Sequence, residues 1–291
     1  MLWLVCGFLL IISSGNLQAQ TFRIADSLYA AGLYRDAGIA CEQVAFDNSE
    51  NNVLVTEALL RKCNCLKADN RTSEIYLLLK RGDTNSLPDS LKSMVLFEQA
   101  LAAYIDGNYS IARKSIEPLI SLSNDPVMEL SGVFLYSLIL DETGNWEESK
   151  NNLLSYVRHS TVIRDSQRDS LAKDIAQLYD PSNYPKLKKI KKARLLSMLL
   201  PGTGQVYAGK SVRGLIVFSL VAASGLYVHY SIVNELYLAA AVGFYVGETF
   251  YLGNVNQLNG IVSNRNQHKK DRYNASVKQE LSLLHNKILH P

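Results

Sequence analysis

The sequence predicts an all-α protein, in which a tandem array of about four helix pairs is followed by a helical hairpin that crosses a membrane. One observation is a pattern of small, aromatic and apolar residues that recurs about every 37 residues before Asp180. The second is a pair of apolar runs, Leu215–Val233 and Leu236–Gly253, each about the ~20 residues that a helix needs to span hydrocarbon. The third is a reversal of net charge between these two parts.

The charge reversal divides the chain into an acidic half and a basic half. From Gln20 to Asp180 the chain has 16 Lys and Arg against 23 Asp and Glu, and from Pro181 to Pro291 it has 14 against 4. The overall charge of +3 is therefore a cancellation. Because the cations of the basic half flank apolar runs, we expect a membrane with anionic lipids as their partner, and no nucleic acid.

The first 19 residues have the pattern of a signal peptide. Leu2–Ile12 is a short apolar core, and Leu17-Gln18-Ala19 ends in a small residue before Gln20. This pattern predicts export and cleavage after residue 19. An uncleaved anchor is the alternative.

The acidic half, residues 20–180, contains an internal repeat. Similar segments surround Gly32, Gly107 and Gly144, and the spacings of 75 and 37 residues predict a hidden copy centred on Asn70. Gly or Asn at such a position is typical of a helix C-terminus with a left-handed residue. We expect an aromatic residue two positions later to fill the gap between the paired helices, and these residues are Tyr34, Tyr109 and Trp146.

This pattern resembles the tetratricopeptide repeat over about residues 21–158. Such units stack on their neighbours because one unit cannot bury its apolar stripe alone, and the array curves into a superhelix with a concave face. The resemblance implies a protein or peptide partner, with Tyr34, Tyr109 and Trp146 as candidate binding residues. A generic helical bundle is the alternative. A further amphipathic helix over 163–179 is predicted to cap the array.

The basic half is predicted to contain a linker, 181–194, and a membrane domain, 195–254. Only Asn234 and Glu235 separate the two apolar runs, so helices 215–233 and 236–253 are expected to form an antiparallel hairpin. Small residues recur at every fourth position of the second run, which favours close packing within the chain or in a homo-oligomer. These residues are Ala239, Gly243 and Gly247.

A short interfacial or re-entrant helix is predicted over 195–208, interrupted at Pro201-Gly202. The sequence from Ala193 to Lys210 resembles the Pro-Gly-x-Gly-Gln module of a small family of bacterial membrane domains, and the resemblance covers about residues 192–254. That family has no established activity, so the resemblance implies an architecture and no catalytic residue.

Glu248 is the one acidic residue inside an apolar run, where an ionised carboxylate is costly. It is therefore a candidate functional residue, with Lys210 or Arg213, or Thr203 and Gln205, as expected partners; the alternative is a carboxylate that reaches water. The predicted polar site of the membrane module consists of Pro201, Gly202, Gly204, Gln205 and Glu248.

Catalytic motifs are missing from the sequence. It contains no G-x-S-x-G, H-E-x-x-H or P-loop pattern, and Cys63 and Cys65 have no second pair that would complete a zinc site. We expect no enzyme, no cofactor and no metal.

The predicted function is a membrane-anchored scaffold that binds proteins through its repeats. The alternative is a small oligomeric membrane module with a transport or sensing role, centred on Glu248 and the Pro201–Gln205 turn. The basic clusters on both flanks of the hairpin predict that both flanks lie in the cytoplasm, whereas the signal peptide predicts that the repeats lie outside. These two predictions agree only if Leu195–Tyr207 crosses as a third segment, or if the N-terminal segment is not an export signal. Export is favoured, which predicts a bacterial inner-membrane protein with periplasmic repeats.

The polar tail, 255–291, is predicted to contain a short amphipathic helix. Its apolar face is formed by Val277, Leu281, Leu284 and Ile288. This helix is expected to lie on the membrane or to dock on the repeats; a frayed end is the alternative.

Overall fold

The computed structural model describes residues 21–122 and 125–289, and within them every regular element is helical. The all-α prediction is confirmed. The predicted signal peptide, 1–19, lies outside the described residues. The chain divides into two compact units: the first extends to Pro181 and resumes at Val277, and the second is Ser182–Ser276.

Nine α-helices form the described part of the first unit up to Pro181. They are α1 (Arg23–Ala30), α2 (Tyr34–Asp47), α3 (Asn52–Ala68), α4 (Ile75–Leu79), α5 (Asp89–Ile105), α6 (Tyr109–Leu122), α7 (Pro126–Thr143), α8 (Trp146–His159) and α9 (Asp165–Leu178). Each helix packs on the next one in the chain, and α5 also contacts α3 and α7. The alternate helices α3, α5 and α7 therefore lie side by side.

The turns after α1, α3, α5 and α7 share one backbone geometry. Their central residues are left-handed, with φ of 77° at Gly32, 57° at Asn70, 75° at Gly107 and 83° at Gly144. In each turn the next N–H donates to the carbonyl five residues earlier, as Asn145 does to Leu140 at 2.8 Å. This bond is typical of a Schellman motif, which ends a helix by satisfying its last carbonyls.

Equivalent positions after these turns are buried in the same way. The residues five positions after the turn are at most 1% exposed: Ala37, Ile75, Ala112 and Ser149. The residues nine positions after it are at most 2% exposed: Cys41, Leu79, Ile116 and Leu153. Each helix after a turn therefore presents the same face to the interior.

The second unit contains α10 (Ile190–Leu199), α11 (Thr203–Tyr207), α12 (Ser211–Val233) and most of α13 (Tyr237–Leu289). Among the described residues, α12 is the one helix that is long and apolar enough to cross a membrane. It contains the predicted 215–233 span and starts four residues earlier.

The second apolar run, 236–253, is the beginning of α13 rather than a separate helix. The helix continues through Gly253 to Leu289, and the run contains three tyrosines and Glu248, which make it less apolar than α12. A membrane crossing by this run stays a prediction. Two of its three small residues face α12 in the same chain, because a Cβ on Gly243 would meet Tyr227 and one on Gly247 would meet Ser224.

The tail is ordered as the last part of α13. Val277, Leu281, Leu284 and Ile288 are 1–8% exposed and belong to the first unit. Of the two expected locations, docking on the helices of the first unit is therefore the one observed.

Candidate functional sites

A buried polar junction lies in the second unit, where the Pro-Gly-x-Gly-Gln sequence meets α13. The Gln205 side chain is fully buried; its amide donates to the side-chain oxygen of Asn254, and its oxygen accepts a bond of 3.2 Å from the Ser197 hydroxyl. The N–H of Gly204 donates to the same hydroxyl at 3.0 Å. Burying an amide is tolerated only when it finds such partners. The junction therefore fixes α10 and α11 against α13.

Glycines allow the backbones around this junction to touch. Gly202 has a φ of 87°, and a Cβ there would overlap with the carbonyl of Gly214. A Cβ on Gly204 would overlap with the carbonyl of Ala193. Pro201 follows the end of α10, where its lack of an N–H stops the helix. Of the five predicted polar-site residues, Pro201, Gly202 and Gly204 therefore shape the backbone, and Gln205 makes the hydrogen bonds of the junction.

Glu248, the fifth predicted residue, lies apart from the junction. Its side chain is exposed, and Gln205 lies opposite Asn254, six residues or about 9 Å further along α13. Arg213 donates to Gln257 instead, and the Thr203 hydroxyl donates to the Leu196 carbonyl at 2.6 Å. Gln205, Thr203 and Arg213 thus bond to partners other than Glu248, and the pairing of Glu248 stays a prediction.

The predicted basic linker is packed against α13. The side chain of Asn266 bonds both the N–H and the carbonyl of Lys188, at 2.8 and 2.9 Å. Lys269 donates to the Lys186 carbonyl at 2.8 Å, and Arg265 donates to the Ala208 carbonyl at 2.7 Å. Two basic segments that are about 80 residues apart in sequence therefore lie together. The charge pattern of the sequence predicts both basic segments. Nothing in the sequence predicts that Asn266 joins them.

The aromatic residues after the turns of the first unit pack within it. Trp146 is 8% exposed. The ring of Tyr34 lies 5.3 Å from that of Tyr29 in α1, and the ring of Tyr109 lies 5.8 Å from that of Tyr104 in α5. Each of these two tyrosines therefore contacts the helix before its turn. Their role in binding a partner stays a prediction.

A buried polar cluster in the first unit had no counterpart in the sequence analysis. Tyr179 is fully buried, and its hydroxyl lies 2.8 Å from Asp141 and 3.0 Å from Ser149. Loss of hydration raises the pKa of Asp141 to about 7. Three successive helices meet at this cluster, since Asp141 belongs to α7, Ser149 to α8, and Tyr179 follows α9.

The last part of α13 is held in the first unit by charge as well as by apolar burial. Lys278 lies 3.1 Å from Glu142 and over the ring of Tyr104, and Lys287 lies 3.0 Å from Asp174. The ring of His285 is 4.8 Å from that of Phe134, and burial lowers the pKa of this histidine. Helices α5, α7 and α9 thus form a binding surface for an amphipathic helix.

The described residues contain no group of three His, Cys, Asp or Glu side chains that could hold a metal ion. Cys41, Cys63 and Cys65 are buried free thiols, and burial raises the pKa of Cys63.

No protein-family model, curated protein or solved structure matches this chain. Function has to be inferred from the residues themselves.

Proposed function

We propose that this protein is a membrane-anchored scaffold, in which a tetratricopeptide-like array in the first unit binds a protein or peptide partner. The observation that carries the proposal is that α5, α7 and α9 already hold an amphipathic helix, residues 277–288. Its four apolar residues are buried, and both of its lysines pair with carboxylates of the array. A surface of this kind recognises helices with apolar residues at helical spacing and cations beside them.

The repeated turn geometry supports the tetratricopeptide-like character of the array. Left-handed residues occur at 32, 70, 107 and 144, so the spacing is 37 or 38 residues throughout. Alternate helices also contact each other from α3 to α7, as the stacking of helix pairs requires.

The second unit is the proposed membrane anchor. Helix α12 has the length and composition to cross a bilayer. Large apolar residues are also exposed on the neighbouring helices, including Leu199 of α10 at 76% and Leu238 of α13 at 84%. So large an exposed apolar surface is typical of contact with lipid or with another protein.

The pairing of Lys188 with Asn266 supports an even number of crossings in the second unit. The chain enters and leaves this unit at adjacent positions, and α10 and α11 pack against each other rather than extending as one rod. A third crossing by Leu195–Tyr207 is therefore disfavoured. Both flanks of the hairpin then lie on one side of the membrane, and protease added to intact spheroplasts tests which side it is. Cleavage places the array in the periplasm, as the export signal predicts, whereas protection places it in the cytoplasm, as the basic flanks predict.

The alternative of an oligomeric membrane module gains no support from the described contacts. The Pro201–Gln205 turn bonds within its own unit, and Gly243 and Gly247 face α12 of the same chain. Glu248 lies outside the junction. The scaffold proposal is therefore the stronger one.

A peptide in trans tests the scaffold proposal on the full-length protein. In the Leu281→Asp variant a charge replaces a residue that is 1% exposed, so the resident helix is released from the array. We expect a labelled peptide with the sequence of residues 274–289 to bind this variant and not the wild type. The same peptide carrying Leu281→Asp is the control. Failure of the first peptide to bind a variant that retains its helical circular dichroism contradicts the proposal.

A further inference from the structure

Two basic segments of the second unit, residues 186–194 and 265–272, contact each other, and we call them together the basic collar. Asn266 joins the two segments through both backbone groups of Lys188, and Lys269 adds a bond to Lys186. The collar consists of Lys186, Lys188, Lys189, Lys191, Lys192, Arg194, Arg265, Lys269, Lys270 and Arg272.

The collar lacks anionic partners among the described residues. Every salt bridge among them lies in the first unit. Asp271 is the one carboxylate within the two segments, and it accepts a bond of 2.8 Å from Gln267. Ten cations with a single carboxylate among them attract an external anion.

Aromatic and apolar residues border the collar. Lys188 and Lys192 lie 4.5 and 5.5 Å from the ring centre of Tyr207, whose hydroxyl accepts from the N–H of Lys189 at 3.3 Å. After Ile190, the exposed side chains of α10 change from the cations Lys191, Lys192 and Arg194 to apolar residues, beginning with Leu195 at 59% exposure. A basic band next to a tyrosine and an apolar surface is typical of a membrane–water interface.

We propose that the basic collar binds the phosphate headgroups of anionic phospholipids in the leaflet that it faces. This inference rests on the proposed membrane anchoring and names the lipid partner of the anchor. Headgroup phosphates supply the missing anions, and the acyl chains cover the adjacent apolar residues. Nucleic acid would supply phosphates but would leave the apolar border exposed to water.

Lipid retention by the full-length protein tests the proposal. The protein is reconstituted into bilayers of phosphatidylcholine and phosphatidylglycerol and extracted in mild detergent, and the ratio of the two retained lipids is measured by mass spectrometry. A lysine near an anionic surface contributes about fivefold to partitioning. We expect Gln at Lys188, Lys189, Lys191 and Lys192 to reduce the enrichment of phosphatidylglycerol about tenfold or more.

Two further variants separate the collar from net charge. Gln at Lys80, Lys114, Lys150 and Lys173, which lie in the first unit, changes the charge equally and is expected to leave the enrichment unchanged. Asn266→Ala keeps all ten cations but removes the bonds that join the two segments, and we expect a several-fold loss. Circular dichroism and gel filtration verify that each variant is folded.

Unchanged enrichment in the collar variant, or an equal loss in the first-unit variant, overturns the proposal. Tighter binding to a single-stranded oligonucleotide than to anionic bilayers overturns it as well. Release of the wild-type protein from membranes by alkaline carbonate contradicts the membrane anchor itself, so failure of the proposed function is distinguishable from failure of the collar.

Discussion

Tyr179 donates a hydrogen bond of 2.8 Å to Asp141, and both side chains are buried. The bond joins the residue after α9 to the last turn of α7. Ser149 of α8 lies 3.0 Å from the same hydroxyl. A single phenol thus connects three helices, and its carboxylate partner has a pKa of about 7 because burial removes its hydration.

The raised pKa of Asp141 predicts that this residue destabilises the first unit as pH rises. Below pH 3.8, the ordinary pKa of an aspartate, the carboxyl is protonated in both the folded and the unfolded protein. Between pH 3.8 and about 7 it ionises in the unfolded chain but stays protonated in the folded protein, so the free energy of unfolding falls as the pH rises. Asp141→Asn removes this dependence. We expect the variant to gain about 2 to 3 kcal/mol relative to wild type between pH 5 and pH 8.5, measured by urea denaturation.

Asp169→Asn is the matched control, because Asp169 is an exposed carboxylate on α9. The difference in free energy of unfolding between the Asp169→Asn variant and wild type is expected to stay constant over the same pH range. Parallel curves for wild type and Asp141→Asn would show that Asp141 ionises in the folded protein as it does in the unfolded chain.

Tyr179→Phe tests the donor side of the same bond. Removing the hydroxyl leaves a buried carboxylate without a hydrogen-bond donor. We expect this to lower the free energy of unfolding by about 1 to 3 kcal/mol at pH 8. The cost should be smaller in the Asp141→Asn background, where no charge needs the donor. A double-mutant cycle by urea denaturation measures the difference, and equal costs in the two backgrounds would exclude coupling between these residues.

Gly107→Ala tests the left-handed turns. The φ of Gly107 is 75° and a Cβ there would meet nothing within 4 Å, so the effect comes from the backbone alone. We expect a loss of about 1 to 2 kcal/mol in the free energy of unfolding. Asn70→Gly, at the equivalent turn, should stay within about 0.5 kcal/mol of wild type, because removing the left-handed strain is offset by a more flexible unfolded chain.

Gly38→Ala is the control for this substitution, since Gly38 lies inside α2 and a Cβ would make only ordinary contacts. It should stabilise the protein by about 0.5 to 1 kcal/mol. A stabilising effect of Gly107→Ala would mean that the turn relaxes to another conformation.

The helix pairs could be predicted because their information is local. The spacing of the glycine turns predicts a turn at Asn70, and its φ of 57° agrees with that prediction. The local pattern also ends the second apolar run at Gly253, but the helix itself does not end there: α13 continues through this glycine, and the next residue, Asn254, is buried against Gln205.

The polar contacts could not be predicted because they join distant residues. Asp141 and Tyr179 are 38 positions apart, and Lys188 and Asn266 are 78 apart. The spacing of apolar residues predicts which face of a helix is buried. It does not predict which distant polar side chain contacts that face. For the same reason the sequence pattern points to Glu248, a charge in an apolar run, and not to Asn254 and Asn266, which make the contacts.

Gly202→Ala tests the close backbone approach in the second unit. The new Cβ would overlap with the Gly214 carbonyl at a positive φ, so we expect a loss of about 3 kcal/mol or more. Thermal unfolding of the detergent-solubilised protein, followed by gel filtration, measures it. Gly260→Ala in α13 has open space around it and should be neutral or slightly stabilising. Equal melting temperatures for the two variants would exclude the proposed contact.

Leu281→Ala tests whether the end of α13 contributes to the stability of the first unit. Leu281 is 1% exposed, whereas Leu283, two residues later on the same helix, is 56% exposed. We expect a loss of about 2 to 5 kcal/mol in the free energy of unfolding for Leu281→Ala and less than about 0.5 for Leu283→Ala. Both substitutions change helix propensity equally, so the difference between them measures burial. Equal effects in urea denaturation would mean that this segment does not dock on α5, α7 and α9 in solution, and the binding surface assigned to the array would lose its resident helix.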